Sequence, residues 1–191
     1  MSYTKSSPLM KTTVGFIFGS LVLSATLVVP ASGSETLHVE AESLPDLGGW
    51  SLDTSFTQIM GSPYVLAHGL GKPVADARGK IRTAEGGEYR VWVRTKDWVA
   101  PWQARGTPGR FQLVVNGTPL STEFGTEGAQ WHWQAGGKVQ LKAGDNEIAL
   151  RDLTGFDGRC DAIVFSNDTK FEPPEGAALE TDRRQRFNPN G

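Results

Sequence analysis

Two glutamates, Glu40 and Glu42, stand two residues apart where Leu37-Val39-Ala41 alternates with His38-Glu40-Glu42. On a strand that spacing points both carboxylates the same way. An oxygen-rich pair of this kind suits calcium, a hard ion that takes about 6–8 oxygen ligands. Asp161, or Asp53 and Asp46 in the segment that follows, could complete such a site. A solvated face on an edge strand accounts for the same pair without any metal. Paired carboxylates also serve glycosidic acid–base chemistry, but no cleft is evident around these two.

A second group is aromatic. Trp98 and Trp102 share a loop running from Lys96 to Gly109, together with Asp97, Gln103 and Arg105. Indoles are costly to leave in water without a use. An indole plate flanked by planar polar side chains matches a sugar ring, which has apolar C–H faces and a rim of hydroxyls. Phe156, Asp157 and Arg159 offer a second wall. The competing reading is a lid, with both tryptophans folded over one end of the domain. Arg94 and Asp97 lie nearby in sequence. They suit either a guanidinium grip on a uronic-acid carboxylate or an internal salt bridge that braces the loop. Trp131 and Trp133 have a strand period and read as packing residues, as does Trp50.

Enzyme signatures are missing. The histidines are His38, His68 and His132, none of them in an H-E-x-x-H motif or a clustered His/Cys pattern. No serine occupies a G-x-S-x-G elbow. Gly69-Leu70-Gly71 lacks the third glycine and the following helix of a dinucleotide fingerprint. The single cysteine, Cys160, excludes an intrachain disulfide framework. Its apolar neighbours Ala162 and Val164 predict a buried, inert thiol.

The elements that must position these groups read as short strands. Tyr89, Val91 and Val93 alternate with Arg90, Trp92 and Arg94. Phe111, Leu113 and Val115 lead into Asn116-Gly117, a tight hairpin signal. Further strands are expected at Leu37–Ala41, Tyr64–Ala67, Pro119–Phe124, Trp131–Trp133, around Val139 and Leu141, from Ile148, and over Cys160–Ser166. In the last, Asp161, Ile163 and Phe165 share one face. No helical stripe occurs before Pro173. Short strands joined by Gly- and Pro-rich turns predict an all-β fold, a jelly-roll β-sandwich of two antiparallel sheets.

The chain has 191 residues with 19 Lys+Arg against 21 Asp+Glu. Residues 1–33 carry Lys5 and Lys11, an apolar run from Val14 to Ala31, and a small-residue end. This is the order of a secretory signal, and it predicts a secreted or periplasmic protein free of the membrane after cleavage. Removing 33 residues leaves 191 − 33 = 158 and a charge of 17 − 21 = −4. That charge and the export signal argue against nucleic acid as a partner. Residues 34–168 form the expected domain. Residues 169–191, with Pro173-Pro174 and Asp182-Arg183-Arg184-Gln185-Arg186, read as an exposed, flexible tail with at most one short helix near Ala177 to Arg184.

Three phrases in order carry a resemblance: Val39-Glu40-Ala41-Glu42-Ser43, Gly87-Glu88-Tyr89-Arg90-Val91-Trp92-Val93-Arg94 and Arg159-Cys160-Asp161-Ala162-Ile163-Val164-Phe165. The chain resembles carbohydrate-binding modules of families 6 and 35 from about Leu37 to Asn167. Met60-Gly61-Ser62-Pro63-Tyr64, Leu66-Ala67-His68-Gly69, Trp92 to Trp102 and Asp152 to Asp161 resemble the N-terminal accessory domain found ahead of FAD-dependent oxidoreductases of exported bacterial proteins. The resemblance implies a galactose-binding-like jelly roll whose end loops bind a polysaccharide or oligosaccharide. It also implies a structural calcium held with the help of Glu40, Glu42 and Asp161, tying the first strand to the last. It transfers no catalysis, and neither FAD nor NAD is expected in this chain. The expected carbohydrate contacts are Trp98, Trp102, Arg94, Asp97, Phe156 and Asp157. The alternatives are a structural or docking domain for an exported enzyme, and a polysaccharide-acting enzyme.

Overall fold

The structure is a computed structural model, and it describes residues 1–2, 33–103 and 106–187. The expected signal segment and Arg105 lie outside the described residues, apart from Met1, Ser2 and Gly33. All described elements belong to one unit, Gly33–Gly191. Its strands are β1 (Thr36–Glu40), β2 (Ser51–Asp53), β3 (Tyr64–His68), β4 (Ala77–Thr83), β5 (Gly87–Thr95), β6 (Phe111–Val115), β7 (Thr118–Pro119), β8 (His132–Leu141), β9 (Gly144–Asp152), β10 (Phe156–Cys160) and β11 (Ala162–Ser166). Two helices join them, α1 (Thr57–Met60) and α2 (Gly176–Phe187). All strand pairs are antiparallel, in the orders β1-β11-β5-β8, β4-β9-β6-β7 and β10-β3-β2. This is the expected jelly-roll sandwich, with a third, smaller sheet at one side.

The alternation read from sequence builds the core. Tyr89, Val91 and Val93 of β5 and Ile163 and Phe165 of β11 pack against Phe111, Leu113, Ile148 and Leu150 of the facing sheet. Each such side chain, fully buried, contributes roughly 1.5–3 kcal/mol. β3 adds Val65 and Ala67, and Trp50 stands edge-on to Phe111 at 5.5 Å. Asn116 (φ +48°) and Gly117 (φ +81°) turn β6 into β7, the paired left-handed conformation of a two-residue hairpin. Pro119, which cannot donate to a ladder, ends β7 after two residues. The pairing of β5 with β8 shifts at Val91/Trp92, where Gly136 bulges. A Cβ there would lie 2.8 Å from the Phe124 ring, so only glycine lets β8 lie this close to the core.

Three expectations need correction. The strand read over Cys160–Ser166 is two strands. β10 pairs with β3, β11 pairs with β1 and β5, and Asp161 is the joint where the chain changes sheet. The break shifts the phase, so Cys160 joins Ile163 and Phe165 in the core while Asp161 turns toward Arg94. Secondly, β1 stops at Glu40, and Glu42 lies in a 3₁₀ turn over Ala41–Ser43. The strand geometry that would align the two carboxylates is therefore absent.

The third correction concerns the tail. Residues 167–187 lie across the outer face of β1-β11-β5-β8. Arg90 donates to the carbonyls of Asp168 and Phe171, and the Phe171 ring meets Trp92 edge-on at 5.7 Å. The Trp133 indole donates to the Pro174 carbonyl at 2.9 Å. Leu179 and Arg183, one turn apart on α2, are 2 % and 6 % exposed. The helix contains the stretch where a short one was expected and extends beyond it at both ends, and it is docked rather than free. Ala162, Val164 and Ser166, which alternate with the core residues Ile163 and Phe165 on β11, are buried too.

Candidate functional site

At one end of the sandwich, β3 finishes at His68 directly opposite Phe156, the first residue of β10. The pairing is irregular at Phe156/Gly158, where Asp157 takes a left-handed backbone (φ +58°). That turn brings the Asp157 carboxylate to His68 Nδ1 at 2.6 Å. Arg159 donates to the Asp157 carbonyl at 2.8 Å, and its guanidinium lies 5.3 Å from the Trp98 ring centroid. The Trp98 indole N–H donates to the Phe156 carbonyl at 2.9 Å, tying the loop after β5 to this end. Trp102 sits in a 3₁₀ turn over Ala100–Trp102 and meets Trp98 edge-on at 6.1 Å.

The two tryptophans have different exposures. Trp98 is half-buried and braces the loop, whereas Trp102 is 70 % exposed. Phe156 is 49 % exposed, and Leu70 beside it in the β3–β4 connection is more open still. The end therefore presents open apolar surfaces rimmed by an imidazole, a carboxylate and a guanidinium. Sugar C–H faces stack on such plates while the rim takes hydroxyls. Of the residues singled out in the sequence, Trp98, Trp102, Phe156, Asp157 and Arg159 gather at this end. His68 and Leu70 join them unannounced by any local pattern, because only the pairing of β3 with β10 brings them there.

Arg94 and Asp97 are elsewhere. Arg94 is buried, with Nη1 donating to Asp161 Oδ2 at 3.0 Å. Asp97 is buried too, with its carboxylate accepting from the Val99 N–H at 3.1 Å and its own N–H donating to the Glu127 and Gly128 carbonyls. Neither is free to meet a ligand, and they do not pair with each other. Asp97 braces the loop from within; Arg94 belongs to the buried charge cluster at the sheet joint.

That cluster contains the expected metal ligands. Arg183 enters it from α2. Its Nε donates to Glu40 Oε1 at 2.8 Å, and its Nη2 donates to Glu40 Oε2 at 2.9 Å and to Asp161 Oδ2 at 2.6 Å. Its Nη1 donates to the Met60 carbonyl at 2.6 Å. Asp161 Oδ1 accepts from Ser62 at 2.9 Å, and Glu40 Oε1 also meets His38 Nε2 at 3.0 Å. Burial alone would raise the Glu40 pKa, but the bonds from His38 and Arg183 outweigh it and hold the group below its ordinary value. Glu42 goes the other way. Burial, reinforced by the charges of Glu40 and Asp161, pushes it up to about 7, and its Oε2 is buried without a hydrogen-bond partner. Among the described residues no three His, Cys, Asp or Glu side chains are arranged to hold a metal ion.

A groove of about 550 Å³ lies on the outer face of β4-β9-β6, lined by Asp46, Asp76, Arg78, Lys80, Glu147 and Arg151 among others. Asp76 there is already paired with Arg78 at 3.0 Å and with Arg151 at 3.6 Å. No aromatic plate lines it, so its volume is a weaker pointer to a sugar than the open Trp102 indole.

No family model matches the chain, and no curated protein matches it. Solved structures do. A GH26-CBM35 β-(1,4)-mannanase from Podospora anserina aligns at TM-score 0.55 and 23% identity, over 72% of this chain but only 29% of that one. A family 35 carbohydrate-binding module from Clostridium thermocellum aligns at TM-score 0.53 and 19% identity, over 69% and 97% of the two chains. The C-terminal CBM6 of LamC from Zobellia galactanivorans gives 0.51 and 20%, over 70% and 100%. The domain has the fold of the family 35 and family 6 modules. This is the architecture that the sequence resemblance implied. The two isolated modules are matched over nearly their whole length, so the likeness covers a complete module rather than a fragment of one.

Proposed function

We propose that this domain is a non-catalytic carbohydrate-binding module that recognises a polysaccharide or oligosaccharide at the His68/Phe156 end of the sandwich. The observation that carries the reading is the open Trp102 indole, 70 % exposed on a loop held by Trp98. A lid or a buried docking element would have covered it. A pyranose face stacks on Trp102, with Phe156 as a second apolar contact. Arg159, His68 and Asp157 supply donors and acceptors to the ring hydroxyls, and Trp98 holds the platform still. The fold shared with carbohydrate-binding modules supports the reading. The apolar leader supports a secreted or periplasmic setting. Among the described residues no helix is long and apolar enough to cross a membrane.

The test is a glycan array probed with the full chain, followed by titration of the strongest ligand. The Trp102→Ala variant weakens that ligand by about 10–100-fold, the range for loss of a central aromatic contact. Its melting temperature stays that of the wild type. Unchanged affinity in a Trp98→Ala, Trp102→Ala double variant would place the binding surface elsewhere.

A further inference from the structure

The oxygens of Glu40, Asp161 and the Met60 carbonyl surround one small buried volume, and a guanidinium fills it. This oxygen set is what a hard divalent cation would seek. Here Arg183 makes four bonds to it, two of them a bidentate grip on Glu40. Arg94 adds a second cation against Asp161. Two guanidinium groups thus face the carboxylates of Glu40 and Asp161, which already have their counter-charge from within the chain. The residues present do not fit the structural calcium that the resemblance implies.

We propose that Arg183 is the built-in cation of this cage, and that the domain ties its first strand to its last through its own C-terminal helix in place of a calcium ion. Glu40 ends β1, Asp161 directly precedes β11, and Arg183 bridges them from α2. The guanidinium does more than a spherical ion in the same place. It anchors α2 across the outer sheet, so the tail becomes a layer of the domain. The delocalised plane of arginine suits this role, because it offers fixed donors to two carboxylates and a carbonyl at once.

Thermal melting of the full chain tests the proposal in excess calcium chloride and in excess EDTA. The two wild-type curves coincide, and calorimetric titration with calcium gives no saturable heat. Arg183→Gln lowers the melting temperature by about 6–15 °C, the shift for breaking a buried ion pair in a domain of this size. Calcium raises the midpoint of that variant and not of the wild type. Arg183→Lys keeps the charge without the fork, and melts between the two. A wild-type midpoint raised by calcium and lowered by EDTA overturns the proposal, as does an Arg183→Gln midpoint equal to the wild type's. The wild-type curves decide the question even if Arg183→Gln fails to fold.

Discussion

Trp98 and Trp102 show how two like residues divide one task. Trp98 gives its N–H to the Phe156 carbonyl and its face to Arg159, so it is spent on holding the loop. Trp102 gives only an edge contact and keeps its plate in water. The sequence identified the pair but not the division, because exposure depends on where the loop folds. Glu42 makes a second residue-scale point. Its carboxyl titrates near 4.5 when unfolded and near 7 in the fold. Between those values the folded state holds the extra proton, so stability falls as pH rises from about 4.5 to about 7 and stays low above that. Glu42→Gln removes this dependence. At pH 8 it raises the melting temperature by about 2–4 °C, equivalent to about 1 kcal/mol in a domain this size. Below pH 4.5 the variant and wild type coincide. Melting curves across that range check both halves of the expectation.

At the scale of elements, the joint at Asp161 organises the charge cluster. A strand continued through it would have put Asp161 with Ile163 and Phe165 in the core, as its sequence parity suggested. The change of sheet reverses that parity, and Asp161 instead meets Arg94 and Arg183. Helix α2 was hard to read for a related reason. Its sequence, Gly176–Phe187, has a single buried leucine, and an arginine takes the position one turn on. An apolar stripe cannot be found where a charged residue does the burying. The stripe consists of Leu179 against the sheet and Arg183 in the cage, with Asp182 beside His38 at 3.8 Å. Leu179→Ala therefore costs about 2–5 kcal/mol, the range for a buried leucine truncated in a core. Denaturant unfolding measures the loss, and proteolysis at the tail accelerates with it. A flexible tail would show neither effect.

At the scale of the whole molecule, one core joins all three sheets, and Cys160 lies inside it. Burial, with Asp161 and the nearby glutamates adding to it, pushes the thiol well above its ordinary pKa. The native protein is therefore inert to a thiol-specific chromogenic reagent, and it reacts fully once unfolded in guanidinium; rapid labelling of the native state contradicts this packing. By itself the sequence determined the all-β class, the faces of β5 and β6, the hairpin at Asn116-Gly117, the aromatic loop and the burial of the thiol. Each of these rests on local rules, namely a period of two, a left-handed turn, and the cost of wetting an indole. Tertiary structure alone decided that Arg94 and Asp97 are internal, that His68 reaches Asp157, and that the tail is a docked layer. It also decided that an arginine stands among the expected calcium ligands. Those outcomes depend on long-range pairings: β3 with β10, β11 with β1 and β5, and α2 against the outer sheet. No local pattern encodes which distant residue will bring a buried carboxylate its counter-charge.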